Sequence, residues 1–154
     1  MKEKKLVLKL IEKGYKIATA ESCTGGMLAS KIVNVPMASK VLDESVVTYA
    51  NEAKIKYAGV SAKSIEKYGV VSEPVAGEMA KGIAKSAGAN VGVGISGIAG
   101  PTGGTETKPV GMVCFGFSVN GSVQTFTKYF KGSRTKVRKQ STNYAINKLL
   151  EILN

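Results

Sequence analysis

A single α/β domain, three layers deep (α/β/α) with a mixed sheet that includes one C-terminal β-hairpin, follows from three features of the sequence. Strand-like apolar runs alternate with amphipathic helix-like runs from end to end. NVGVGIS is a Gly-interrupted strand apolar enough to be buried. Near the C-terminus, two alternating runs flank Asn120-Gly121, a dipeptide that favours tight hairpin turns.

Element by element, the apolar residues Leu6, Val7, Leu10 and Ile11 recur at helical spacing in MKEKKLVLKLIEKG, and Gly14 closes that helix. YKIATA is a strand, and CTGGMLASKIVN is a turn feeding a helix that starts near Thr24 and that Pro36 helps to end. SVVTYA is the next strand, with short helices over NEAKIKYAG and SAKSIEKYG. In SEPVAGEMAKGIAKSAGA, Ser72 is the cap, Pro74 lies in the first turn, and Val75, Met79 and Ile83 share one face. After NVGVGIS and the hairpin VGMVCFGFSVNG/SVQTFTKYFKG, a long helix begins at the cap Ser133 and carries Val137, Ala145, Leu149 and Ile152 near one face. Neither a repeat nor a linker interrupts residues 1–154.

Composition narrows the function. The sequence has 154 residues, 44% of them hydrophobic, and no apolar run long enough to cross a bilayer. No small-residue cleavage site follows the basic N-terminus, so a cytoplasmic domain without membrane contact is expected. Two cysteines, Cys23 and Cys114, are too few and too scattered for a disulfide framework or a metal knuckle. Histidine is absent, so a general base must come from Lys, Tyr, Asp or Glu. The net charge of +11 raises the question of nucleic acid, but only Arg134 and Arg138 are arginines and the lysines are dispersed over every helix. A solvated Lys-rich surface accounts for that charge better than a nucleic-acid face, and it can still attract a small anionic substrate.

Three polar segments sit at strand ends. In ESCTGG, the free N–H groups of a turn leading into a helix can hold an anion or oxyanion, and Gly25 and Gly26 let a ligand approach the backbone. The competing account makes Ser22 or Thr24 a simple cap and the glycines packing devices. In VVTYANEAK, Asn51 as a cap would put Lys54 on the first helical turn, at the same end of the sheet as Tyr49. In SGIAGPTGGTETKPVG, five glycines and two prolines make a long loop without the Gly-Lys-Ser/Thr ending of a nucleotide-binding P-loop. It is a binding loop for something polar or anionic, or else a structural Ω-loop.

Taken in order and spacing, TAESCTGG, VVTYANEAK, VSEPVAGEMA, GISGIAGPTGGTETKPVG and VRKQSTNYA resemble the CinA C-terminal domain family, over about Leu6 to Leu150. Its stand-alone members are the PncC-type nicotinamide-nucleotide amidohydrolases. The resemblance implies a domain standing without the N-terminal half of the two-domain members. It also implies hydrolysis of the carboxamide of nicotinamide mononucleotide, a pyridine nucleotide, to nicotinate mononucleotide and ammonia, with no cofactor and no metal. By the same resemblance Ser22 is the nucleophile, Lys54 its base and Tyr49 a hydroxyl that assists proton traffic. Substrate contacts are expected from Glu21, Cys23, Thr24, Gly25, Gly26 and Asn51, and from Ser96, Gly97, Ala99, Gly100, Gly103, Gly104 and Thr105, with Arg138 a further candidate for the phosphate. Within the first group, the backbone N–H groups of Cys23 to Gly26 would hold the oxyanion, and a homo-oligomer is expected. The chain departs from the family pattern in VPMASKVLDESVVTY, where Met37, Glu44 and Ser45 replace small residues close to the expected pocket.

Overall fold

The computed structural model describes residues Met1–Asn154. A five-stranded sheet has the order β2-β1-β3-β4-β5, with β1 (Ile17–Glu21) parallel to β2 (Val46–Val47) and β3 (Val91–Gly97), while β4 (Met112–Val119) and β5 (Ser122–Tyr129) add on antiparallel. Helices α1 (Lys2–Lys13), α2 (Met27–Val33) and α6 (Arg134–Ile152) cover one face; α3 (Asn51–Ala58), α4 (Ala62–Tyr68) and α5 (Glu73–Ala87) lie on the other. This is the three-layer α/β/α mixed sheet expected. No helix is long and apolar enough to cross a membrane.

The alternation of β1 explains the two cores. Ile17 joins the larger cluster with Leu6, Leu10, Leu28, Phe115 and Leu149, whereas Ala18 and Ala20 point the other way against Val75, Met79 and Ile83. Several expected signals hold in detail. Gly14 ends α1 in a left-handed conformation, the side chains of Ser72 and Ser133 cap α5 and α6, and the hairpin turns through Asn120 and Gly121 at positive φ.

The glycines of β3 have a packing reason. A Cβ on Gly94 would overlap the carbonyl oxygen of Ala76, one on Gly92 that of Ala80, and one on Gly116 of β4 that of Ala76 again. Helix α5 therefore rests directly on the backbone of the sheet, and the strand end Ser96-Gly97 is held at a fixed height beside the cleft. Gly94→Ala is expected to cost about 3 kcal/mol of unfolding free energy, the upper range for forcing a methyl into a filled interior. A urea titration showing a loss below about 1 kcal/mol would mean that α5 lifts off at little cost.

Three sequence expectations are corrected. The strand over SVVTYA is reduced to Val46–Val47, because beyond Thr48 the chain leaves the sheet and its carbonyls turn to Lys54. Helix α2 starts at Met27, not near Thr24, since Gly25 and Gly26 at φ 57° and 97° extend the turn. Asn51 does not cap α3; Ala50 occupies that position, and Asn51 is the first helical residue. A short 3-10 turn at Ala38–Lys40, not foreseen, links α2 to β2.

Candidate active site

A cleft of about 460 Å³ opens beyond the carboxyl ends of the parallel strands, the usual place for a ligand in such sheets and within the usual size range for one. Ser22 and Cys23 enter it from the end of β1, Tyr49 from the β2–α3 connection, Asn51 from the start of α3, and Ser96 and Gly97 from β3. Lys54 rises from the first turn of α3.

The backbone pins these groups. Ser22 N–H donates to Ile95 O at 3.0 Å and Thr48 N–H to Glu21 O at 2.9 Å, so the ends of β1, β2 and β3 are laced together where the cleft begins. Ser96 Oγ donates to Val70 O at 2.8 Å and ties β3 to the α4–α5 connection. Lys54 is 1% exposed, and its Nζ lies 3.0 Å from Ser22 Oγ, 2.7 Å from Thr48 O and 3.1 Å from Tyr49 O. None of the salt bridges in the protein involves it. Burial without a carboxylate disfavours the ammonium, and the Lys54 pKa is held below its ordinary 10.5.

Cys23, the neighbouring candidate nucleophile, behaves oppositely. Its side chain is 5% exposed and packs in the larger core cluster, and burial pushes its thiol up to about 12. The two adjacent side chains diverge: Ser22 meets the lysine and Cys23 the core.

Of the other expected contacts, Ala99, Gly100, Gly103 and Thr105 of the glycine-rich loop line the cleft. Six expected residues do not. Glu21 is buried on the α2 side, where its carboxylate accepts from Thr19 Oγ1, Thr24 Oγ1, and the N–H groups of Leu28 and Ala29 at 2.7–3.0 Å. It caps α2, whose N-cap Gly26 has no side chain, and so the positive end of that helix is already occupied by a carboxylate. Thr24 is buried in the same network. Gly25 faces Arg138, Gly26 faces Val47, and Gly104 lies against Val110. Arg138 donates to Cys23 O and Thr24 O, at 2.9 and 3.2 Å, clamping α6 to the turn, and it does not border the cleft.

An oxyanion would have to use the turn's unspent donors. Gly25 N–H is bonded to Ser22 O, whereas the N–H groups of Cys23, Thr24 and Gly26 have no partner in the chain. Cys23 is the one of the three that borders the cleft. Met37 and Glu44 are exposed away from the cleft, and Ser45 accepts a hydrogen bond from Thr19 N at 3.2 Å, so the departures from the family pattern do not touch the site.

Sequence reasoning did not place Arg134, Lys108 or the segment Gly69 to Val71 at the site, and all of them border the cleft, as do Ile98 and Thr102 of the glycine-rich loop it had singled out. Lys108 Nζ donates to Tyr68 O at 2.5 Å, fastening the glycine-rich loop to the α4–α5 connection. The only available signal was that Lys108 lies within the loop already singled out.

Comparison with known proteins agrees with this architecture. The CinA-like protein of Kosmotoga olearia is 51% identical over 143 residues, 92% of this chain and 35% of that protein. The CinA-like protein of Fusobacterium nucleatum is 48% identical over 147 residues, 96% of this chain and 36% of that protein. The chain thus spans about a third of the length of these curated relatives. The crystal structure of the competence or damage-inducible protein from Enterobacter asburiae superposes with a TM-score of 0.96 at 35% identity, covering 99% of this chain and 96% of that one. For a competence/damage inducible protein from Agrobacterium tumefaciens the TM-score is 0.92 at 34% identity, covering 100% and 97%. Since the profile of the CinA C-terminal domain also matches residues 1–153, the chain belongs to the CinA C-terminal domain family.

Proposed function

We propose that the chain hydrolyses the carboxamide of nicotinamide mononucleotide to nicotinate mononucleotide and ammonia, in the cytoplasmic salvage of pyridine nucleotides, with Ser22 as nucleophile and Lys54 as its base. The observation that carries this reading is the buried, carboxylate-free Lys54 amine 3.0 Å from Ser22 Oγ.

Elementary hydrogen-bond bookkeeping gives the amine its direction. Carbonyl oxygens only accept, so a neutral Lys54 spends both N–H groups on Thr48 O and Tyr49 O, and its lone pair is left for the Ser22 hydroxyl. A serine hydroxyl needs such a base at neutral pH. As Ser22 Oγ bonds to the amide carbon, its proton passes to Lys54 and the carbonyl oxygen becomes an oxyanion near Cys23 N–H. Each such donor supplies about 3 kcal/mol in hydrolases of this type. Lys54 then returns the proton to the leaving nitrogen, and ammonia departs from an acyl ester on Ser22. Water, deprotonated by the same amine, attacks the ester carbon; the Ser22 Oγ–acyl bond breaks, Lys54 returns the proton to Ser22 Oγ, and nicotinate mononucleotide leaves.

Lys108 and Arg134 give the cleft a cationic rim suited to a phosphate, which would hold the remote end of the nucleotide and orient its amide. An ammonia-release assay over several pyridine nucleotides tests the reading: nicotinamide mononucleotide is expected to turn over faster than free nicotinamide or the unphosphorylated riboside. Calorimetric binding without ammonia release would make the chain a nucleotide-binding module instead.

A further inference from the structure

Arg134 opens α6 and reaches two walls of the cleft at once: Nη1 donates to Gly100 O of the glycine-rich loop at 2.9 Å, and Nη2 donates to the Tyr49 hydroxyl oxygen at 2.9 Å. Tyr49 is otherwise a free side chain, 61% exposed, with no other side-chain hydrogen bond to fix its phenol. We infer that Arg134 is a positioning residue that locks the Tyr49 phenol over the cleft with its proton turned away from the guanidinium, so that Tyr49 meets the substrate as a hydrogen-bond donor.

The polarity of the contact follows from the donor itself. A guanidinium carries five N–H groups and no acceptor, so the phenol oxygen must accept from it. The phenol's own O–H then cannot point at Arg134, and it remains free for a ligand in the cleft that Tyr49 and Arg134 both border. A planar fork suits the task because its two outer nitrogens reach Gly100 O and Tyr49 Oη together; an ammonium on a lysine stem is a single point donor. The same two bonds couple the loop to the phenol. Displacing the loop at Gly100 would release Tyr49 as well.

The catalytic part of this inference rests on the amidase reading, and three measurements separate the two. First, wild-type ammonia release tests the amidase reading alone. Second, Arg134→Lys keeps the positive charge but not the fork. It is expected to lower kcat about tenfold, one well-placed hydrogen bond's worth, with KM little changed. Recovery of wild-type kcat in Arg134→Lys would show that Arg134 serves by charge and would overturn the clasp. In the Tyr49→Phe background, adding Arg134→Lys is expected to cost little more, whereas a full further tenfold loss would mean that the two residues act independently. Third, ring spectra of protein carrying 13C-labelled tyrosine need no turnover. The one resonance of six that vanishes in Tyr49→Phe is expected to shift toward that of free tyrosine in Arg134→Lys. An unmoved resonance would show that Arg134 does not hold the ring.

Discussion

Ser22→Ala is expected to abolish ammonia release from nicotinamide mononucleotide, by at least about 10³-fold, while the nucleotide still binds. The expectation turns on two adjacent side chains with opposite surroundings. In isolation a thiol is the better nucleophile, and Cys23 would be the natural choice. Here its side chain is 5% exposed and its pKa is pushed up to about 12 by burial, so almost no thiolate exists at neutral pH. Ser22 instead lies 3.0 Å from the Lys54 amine. Cys23→Ala should therefore keep most of the activity and lose about 1 kcal/mol of stability, the cost of a small group removed from a packed cluster. Alkylating reagents should inactivate the native protein slowly. An inactive Cys23→Ala beside an active Ser22→Ala would reverse the assignment and make the chain a cysteine amidase.

Lys54→Arg should be nearly as damaging, for a different reason. The substitution preserves charge and donors, but a guanidinium does not give up its proton at any accessible pH and so cannot take one from Ser22. Wild-type activity should itself depend on pH in a predictable sense. The base form is the neutral amine, and burial lowers the Lys54 pKa below 10.5, so kcat/KM should rise with pH through an acid limb below 10.5 and then level off. A pH profile lacking that limb, or Lys54→Arg with near-wild-type turnover, would remove Lys54 from the mechanism. Because burial without a carboxylate lowers the Lys54 pKa, the residue costs the fold stability below pH 10.5, where the unfolded chain holds that proton more tightly. The carbonyls of Thr48 and Tyr49 offset part of that cost by accepting from the ammonium.

Periodicity and turn chemistry in the sequence determined most of the architecture. The caps Ser72 and Ser133, the stop at Gly14, the Asn120-Gly121 turn and the strand-helix alternation are local signals, read from neighbours a few residues apart. The family motifs likewise brought Ser22, Lys54 and Tyr49 to attention. Spacing alone did not show the burial of Lys54: one lysine among 20 looks like surface until α3 is docked against the β1 turn. Nor could spacing tell Arg134 from Arg138. They stand one helical turn apart on α6, yet the first faces the cleft rim and the second is spent on the carbonyls of Cys23 and Thr24. Glu21 shows the same limit, since a carboxylate beside the nucleophile in sequence points to the opposite side of the sheet and caps α2. Local preference sets which residues form an element and where it stops. Which side chain of that element meets a ligand depends on contacts between residues distant in sequence, and only the packed tertiary structure supplies them.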